Sequence, residues 1–169
     1  MTDEEIFDVC DEHDVVVGQA PRAVVHAQNL LHRAVHIWVL NSAGEMLLQL
    51  RSQTKDQYPG CYTSSASGHL DSGEDYETAA VRELQEELGL TGALEFVGKL
   101  PASPETAFEH TVLYRLTTDV PAQPNKDEIA GLEVLPVPEI RQRLKLKPEL
   151  FSPPLISLLE AFATTPDFT

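Results

Sequence analysis

The stretch from Gly68 to Leu90, GHLDSGEDYETAAVRELQEELGL, carries the densest set of chemically active side chains in the sequence. Glu83, Glu86 and Glu87 fall within five positions of a segment that reads as a helix, and a loop containing glycine leads into it. Carboxylates held this close repel one another unless a cation lies among them. The pattern therefore predicts a site for a divalent cation, and a polyphosphate with bound Mg²⁺ is the ligand that such a site favours.

A helical projection separates the carboxylates of this segment from its apolar residues. We expect a helix from Asp75 to Leu88, ended by Gly89 as a C-cap. At about 100° per residue, the three glutamates share one arc and apolar side chains share the next. That apolar arc consists of Ala80, Val81, Leu84 and Leu88. A solvated acidic face is the alternative, but glutamates four residues apart destabilise a helix slightly, which favours a cation site.

The fixed positions of this segment form one pattern: glycine, five residues, glutamate, seven residues, arginine and glutamate, then two glutamates before a second glycine. The pattern resembles the signature of the Nudix hydrolases over 23 residues. Its positions are filled by Gly68, Glu74, Arg82, Glu83, Leu84, Glu86, Glu87, Gly89 and Leu90. Because the surrounding strand order is also similar, the resemblance implies an α+β fold, a Nudix-type α/β/α sandwich with a mixed β-sheet.

The resemblance implies a role for each part of the signature. The family cleaves a nucleoside diphosphate linked to another moiety, by water attack on phosphorus with Mg²⁺ or Mn²⁺. The implied metal-binding groups are the carboxylates of Glu83, Glu86 and Glu87 and the carbonyl of Ser67. Glu83 or Glu87 is the implied catalytic group that accepts the proton of the water. Structural roles are implied for Gly68, Glu74, Arg82 and Gly89.

Some family members carry the general base on a later loop or strand, so further acidic residues stay open for that role. The candidates are Glu105, Glu109, Asp127 and Glu128. For each of them taken singly, an ordinary surface position is the stronger explanation.

The chain before the signature is similar to the isopentenyl diphosphate isomerase-like branch of the family. The similar pieces are an early hairpin, then LHRAVHIWV, YPG and SGH. The true isomerase has a cysteine before Gly-His and a degraded signature, whereas this chain has Ser67 and an intact signature. A hydroxyl is a far weaker acid than a thiol, so both departures favour hydrolysis over isomerisation.

Several histidines echo the metal ligands of that isomerase branch. They are His26, His32, His36 and His69, with Glu109 in the place of a later glutamate. A second, histidine-based metal site is one interpretation, and ordinary packed or hydrogen-bonded histidines are the other.

Substrate contacts are predicted at Arg51, Lys55 and His69, because guanidinium pairs bidentately with phosphate and the other two can meet it as donors. Aromatic residues that either stack a base or belong to the core are Tyr58, Tyr62, Phe108 and Tyr114.

Nucleoside di- or triphosphates are the first substrate class that we expect. Nucleotide sugars or dinucleotides come second, isoprenyl diphosphates third, and isomerisation is the remaining alternative. A non-catalytic binding module is disfavoured because no signature carboxylate is missing.

The composition sets the wider limits. A length of 169 residues suits a single domain spanning residues 1–169. A net charge of −15 argues against duplex DNA or long RNA as a partner, because phosphate backbones need Lys and Arg. No apolar run reaches 18 residues, the beginning of the chain is acidic, and there are two cysteines, which together predict a cytoplasmic protein with no membrane span. Both a monomer and a homodimer fit.

Overall fold

The computed structural model describes residues 4–163, which form nine strands and four α-helices. The strands are β1 (Ile6–Cys10), β2 (Val16–Pro21), β3 (His32–Leu40), β4 (Glu45–Arg51), β5 (Tyr62–Thr63), β6 (Ala66–His69), β7 (Glu95–Leu100), β8 (Glu109–Thr117) and β9 (Ile129–Pro136). The helices are α1 (Arg22–Ala27), α2 (Tyr76–Leu88), α3 (Val137–Leu146) and α4 (Pro153–Phe162). No helix in the described part of the chain is long and apolar enough to cross a membrane.

Seven strands form one mixed sheet with β3 near its centre. β3 pairs in parallel with β8 along its whole length and antiparallel with β6, and β7 adds to β8. β4 pairs antiparallel with both β5 and β9. The remaining strands, β1 and β2, form a separate antiparallel hairpin. The expected α+β fold with a mixed sheet is therefore confirmed.

Apolar side chains alternate between the two faces of the sheet, because successive residues of a strand point to opposite sides. On one face, Val35 and Ile37 pack in a core with Leu84 of α2. On the other face, Trp38 packs in a second core with Leu155 of α4. Helices thus cover both faces of the sheet, which is the α/β/α arrangement that the resemblance implied.

The signature helix differs slightly from its predicted form. It begins at Tyr76 rather than Asp75, because the Asp75 side chain caps it by accepting a 2.8 Å hydrogen bond from the N–H of Thr78. Gly89 follows the helix with φ at +63°, a left-handed conformation that glycine adopts without strain. Val81 was expected in the apolar arc but is 49% exposed. The buried arc is instead centred nearer to the alanine side of the helix, and it contains Ala79, Ala80, Leu84, Glu87 and Leu88.

The hairpin that joins β3 and β4 opens immediately after its turn. Asn41 holds the turn by accepting hydrogen bonds from the N–H groups of Ala43 and Glu45 on its side-chain oxygen. Within residues 4–163, the two strands pair at Leu40 and Met46 alone, and each then takes other partners. A gap therefore forms within the sheet, and it is bordered by the residues that the sequence marks as chemically active.

Candidate active site

An open cavity lies at the gap between β3 and β4. Its lining combines acidic residues of α2, basic residues at the end of β4 and after it, and residues of β6 and β8. Those that the sequence analysis singled out are His36, Arg51, Lys55, Tyr58, Ser67, Gly68, His69, Arg82, Glu83, Glu86, Glu87, Glu109 and Glu128. The predicted ligands of the signature metal and the predicted substrate contacts thus line one cavity, whereas His26 and His32 of the histidine-based interpretation do not.

Glu83 and Glu87 are held in fixed positions at this cavity. Glu83 lies against Gly68 so closely that a Cβ atom at Gly68 would be 2.2 Å from its Cδ and Oε1 atoms. Glu87 is 4% exposed, and its carboxylate accepts a 2.6 Å hydrogen bond from the side chain of Gln49. It also accepts a longer bond, 3.4 Å, from the N–H of Ser67. The third glutamate, Glu86, is exposed to solvent, so the buried surroundings single out two of the three carboxylates.

Arg82 connects α2 to the loop before it. Its guanidinium donates two hydrogen bonds of 2.9 Å to the carboxylate of Glu74. It also donates to Glu83 at 2.8 Å, to Glu86 at 3.3 Å and to the carbonyl oxygen of His69 at 3.1 Å. One arginine therefore fixes the loop, the end of β6 and the acidic edge of the helix relative to one another.

The electrostatics of Glu83 and Glu87 fit a cation site. Burial, reinforced by the charge of Glu87, raises the pKa of Glu83 to about 8. Burial also raises the pKa of Glu87 to about 7, although the hydrogen bond from Gln49 acts in the opposite direction. A bound divalent cation would offset the cost of placing these charges together. The donor atoms are all oxygen, which is the ligand type that Mg²⁺ and Mn²⁺ prefer.

Arg51 and Lys55 bring positive charge to the same cavity. The Nε–H of Arg51 donates a 2.9 Å hydrogen bond to the carbonyl oxygen of Gln57. Across the described residues, no carboxylate forms an ion pair with Arg51, so its guanidinium is available to an anion. Lys55 lies 3.7 Å from Glu128, a distance that leaves its ammonium group weakly held. The two side chains therefore suit a phosphate group, as the sequence predicted.

A second group of potential metal ligands adjoins the first. Ring nitrogens of His26, His32 and His69 all lie within 4.8 Å of one another. The carboxylate of Glu109 lies 2.9 Å from Nε2 of His69 and 3.7 Å from Nε2 of His32. The Nε2 atoms of His26 and His32 are buried without a hydrogen-bond partner. His36, which the sequence grouped with these residues, is not part of the cluster.

The remaining candidates separate by position. Glu109 and Glu128 line the main cavity, whereas Glu105 and Asp127 are not among its lining residues. Tyr58 lines the main cavity and a smaller neighbouring one, and Phe108 lines the smaller one. The other two aromatic candidates line neither cavity: Tyr62 packs against Phe151 with the two rings tilted, and Tyr114 packs at the edge of the α2 core.

Sequence reasoning missed two positioning residues. Gln49 is buried between Glu87 and the carbonyl of Ser65, to which it donates at 3.0 Å. Asp8 accepts hydrogen bonds from Ser72 and Gly73 in the loop before α2. A polar residue inside the apolar strand EMLLQLR was a usable signal for Gln49, but nothing local marked Asp8.

Comparison with known proteins decides the family. The model of the NUDIX domain family matches residues 30–156. The chain belongs to the Nudix family. Its relatives include an uncharacterized Nudix hydrolase of Streptomyces coelicolor, 34% identical, with 83% of this chain and 80% of the relative covered. They also include an isopentenyl-diphosphate Delta-isomerase of Photorhabdus laumondii, 32% identical, with 88% of this chain and 87% of the relative covered.

Solved structures agree with this assignment. A Deinococcus radiodurans protein superposes on the Nudix chain with a TM-score of 0.83 at 28% identity, covering 94% of this chain and 99% of that one. The NUDIX domain of Shewanella oneidensis NrtR, solved with ADP ribose, shares the fold at 16% identity and a TM-score of 0.55, covering 76% of this chain and 95% of that one. The Nudix protein described here is a pyrophosphohydrolase, and its family generally uses divalent cations.

Proposed function

We propose that this Nudix protein is a Mg²⁺-dependent hydrolase of nucleoside di- or triphosphates. The observation that carries the proposal is the pair Glu83 and Glu87, held in one cavity with Arg51 and Lys55. A diphosphate substrate needs both kinds of group, carboxylates that hold the cation and basic side chains that meet phosphate oxygens. The ADP ribose in the Shewanella neighbour supports a nucleotide-type substrate in this fold.

The carboxylates of Glu83, Glu86 and Glu87 and the carbonyl of Ser67 would hold Mg²⁺, with Mn²⁺ as the alternative. When bound, the cation supplies charge neutralisation at the phosphoryl group and a lower pKa for coordinated water. Glu83 or Glu87 accepts the proton of the water that attacks phosphorus.

The other cavity residues orient the reactants. Arg51 and Lys55 bind phosphate oxygens, and Arg82 holds Glu83 in place. Glu109 is unsuited as a base. Burial opposes its ionisation, but the charge and the hydrogen bond of His69 prevail and lower the pKa of Glu109.

Isomerase relatives make the chemical class worth testing directly. The serine at position 67 lines the cavity where a cysteine thiol would be needed, so we expect hydrolysis rather than isomerisation. Within hydrolysis, nucleotide sugars and isoprenyl diphosphates are the alternative substrates.

A substrate panel tests the proposal. Release of phosphate, pyrophosphate or nucleotide is measured from nucleoside di- and triphosphates, nucleotide sugars and isoprenyl diphosphates, with and without Mg²⁺. We expect nucleoside di- or triphosphates to be cleaved fastest, and Glu87→Gln to lower kcat/KM by about a hundredfold or more. Glu77→Gln, at an exposed position of the same helix, is the matched control. Interconversion of isoprenyl diphosphates without hydrolysis of any nucleotide would refute the proposal.

The histidine cluster supports a second metal site beside the first, formed by His26, His32, His69 and Glu109. His69 and Glu109 line the main cavity, whereas His26 and His32 line the smaller neighbouring one. Imidazole nitrogens with one carboxylate favour Mn²⁺, Fe²⁺ or Zn²⁺ over Mg²⁺. Two of these nitrogens are buried and unpaired, which a bound cation would relieve. Equilibrium dialysis against Mn²⁺ and Zn²⁺ should show this site in Glu83→Gln but not in His32→Asn. Equal metal content in both variants would contradict the assignment.

A further inference from the structure

His36 lines the main cavity but belongs to neither group of potential metal ligands. It lies on β3 next to Trp38 in the alternation of that strand, and it is 4% exposed. On the neighbouring strand β6, its register partner is Ser67. The ring is therefore placed against the candidate site by the sheet itself, and the proposed metal chemistry leaves its role open.

A short chain of hydrogen bonds determines which nitrogen of His36 carries the hydrogen. The indole N–H of Trp38 lies 3.1 Å from Oγ of Ser64 and can only donate to it. The same Oγ lies 2.7 Å from Nδ1 of His36. Ser64 is fully buried, so its own hydroxyl hydrogen needs an acceptor inside the protein.

Within residues 4–163, Nδ1 of His36 is the acceptor within hydrogen-bond distance of that hydroxyl. If Nδ1 carried a hydrogen instead, both neighbours would donate to Oγ, and the hydroxyl hydrogen of Ser64 would be buried without a partner. The arrangement therefore favours Ser64 as the donor, His36 Nδ1 as the acceptor, and the ring hydrogen on Nε2. With Nδ1 accepting a hydrogen bond and the ring hydrogen on Nε2, the ring is neutral.

The Nε2 side of the ring has no such partner. No described side chain or backbone group accepts a hydrogen bond from it, yet it is not enclosed as the Nε2 atoms of His26 and His32 are. The charged or titratable groups that influence the ring are Glu109, Arg51 and His69. Glu109 already accepts a hydrogen bond from His69, and Arg51 is itself a donor. Nε2 therefore faces an open cavity, where a substrate oxygen can take the place of water as its acceptor.

We propose that neutral His36, held in one tautomer by Ser64 and Trp38, donates a hydrogen bond from Nε2 to a phosphoryl oxygen of the substrate. The proposal rests on the proposed function for the identity of that substrate. His36 would contribute substrate binding beside Arg51 without adding a charge. It is thus a binding residue, and Ser64 is the residue that positions it.

The tautomer is tested without any activity. The ¹⁵N shifts of the His36 ring in the uniformly labelled full-length protein distinguish Nε2–H from Nδ1–H. We expect the Nε2–H form in the wild type and a shift toward a mixture in Ser64→Ala. Addition of methylenediphosphonate with Mg²⁺ should then move the Nε2 resonance of the wild type. An Nδ1–H ring, or an Nε2 resonance that the diphosphonate leaves unchanged, would overturn the proposal.

Kinetics test the contact itself. We expect His36→Leu to raise KM for the best nucleotide by about tenfold, with a smaller change in kcat, since one hydrogen bond to an anionic group is lost. His36→Gln, whose amide can donate from a similar position, should stay within about threefold of the wild type. Equal KM values for His36→Leu and the wild type, in protein whose circular dichroism is unchanged, would refute the proposed hydrogen bond from His36 to the substrate. If the wild type hydrolyses no nucleotide, the proposed function fails while the diphosphonate titration still decides the role of His36.

Discussion

Three glutamates of one helix have different surroundings, and the difference bears on what each can do. Glu83 rests on Gly68 and is held by Arg82, whereas Glu87 is buried against Gln49. Glu86 is exposed and reaches Arg82 at 3.3 Å. The position of Glu83 depends on the absence of a side chain at Gly68, which is a property of that single residue.

Gly68→Ala should therefore impair activity more than folding. The added methyl group would lie 2.2 Å from the Glu83 carboxylate, which is the flexible end of a side chain and can move away. We expect hydrolysis to fall by about tenfold or more because Glu83 leaves its place, a loss of about 1.4 kcal/mol in transition-state stabilisation. Gly131→Ala on β9 is the control, since nothing lies within 4 Å of its added Cβ. Equal activity of the two variants would show that hydrolysis does not require the Glu83 carboxylate in its observed position.

At the scale of elements, the β1–β2 hairpin is fastened to the rest of the fold through Asp14 in its turn. The carboxylate accepts hydrogen bonds from Arg33 of β3 at 2.6 Å and from the hydroxyl of Tyr76 of α2 at 2.7 Å, and it also pairs with Lys99 of β7. Burial opposes ionisation, but the hydrogen bonds from Lys99, Arg33 and Tyr76 prevail and lower the pKa of Asp14 to about 2. The hairpin in turn supports the site, because Asp8 binds the loop before α2.

Asp14→Asn should destabilise the fold in a pH-dependent way. Because the folded pKa lies below the unfolded value of 3.8, the stabilisation is present above about pH 4 and is lost as the pH falls toward 2. We expect a loss of about 2 kcal/mol at pH 7 in urea unfolding, shrinking between pH 4 and pH 3. Asparagine tolerates the left-handed backbone at this position, where φ is +62°.

Glu12→Gln, in the same turn and exposed, provides the baseline for that experiment. A difference between Asp14→Asn and the wild type that stays constant from pH 7 to pH 3 would show that the charge of Asp14 is not responsible.

For the molecule as a whole, a net charge of −15 coexists with a cavity that we propose binds an anionic substrate. The basic residues Arg22, Arg51, Lys55 and Arg82 all line that cavity. Seven acidic residues line it as well, so the basic side chains alone do not make the cavity positive. A bound divalent cation would offset much of that acidic charge and so allow an anionic substrate to bind.

Mg²⁺ should consequently stabilise the whole protein, and more so at higher pH. The raised pKa values of Glu83 and Glu87, about 8 and about 7, mean that protons compete with the cation until the pH exceeds them. We expect 10 mM Mg²⁺ to raise Tm by several degrees more at pH 8.5 than at pH 6. NaCl of equal ionic strength controls for screening of the net charge. An increase in Tm that does not depend on pH, or an equal increase in Glu83→Gln, would show that Mg²⁺ stabilises the protein at a site other than Glu83 and Glu87.

Much of the fold and part of the site follow from local patterns. The spacing of Glu74, Arg82 and Glu83 on a loop and helix anticipates their contacts, and the helix ends at Gly89 as its C-cap signal indicates. Val81 marks a limit, since periodicity placed it in the apolar arc although it is exposed. A helical projection gives the spacing of side chains around the axis, but the neighbouring sheet decides where the buried arc is centred.

The sequence by itself determined the acidic helix, its C-cap, most of the longer strands and the family, because these depend on residues close together in the chain. It did not determine the N-cap at Asp75, nor the short strands β5 and β6, which lie in a segment that reads locally as a loop. Only the tertiary structure decided that β3 and β4 separate into a cavity and that Glu87 is buried on Gln49 while Glu86 is not. It also brought Glu109 to the histidines by pairing β3 with β8, and Ser64 to His36. Such contacts join residues distant in sequence, and the packing of the sheet and helices fixes them where no local pattern can.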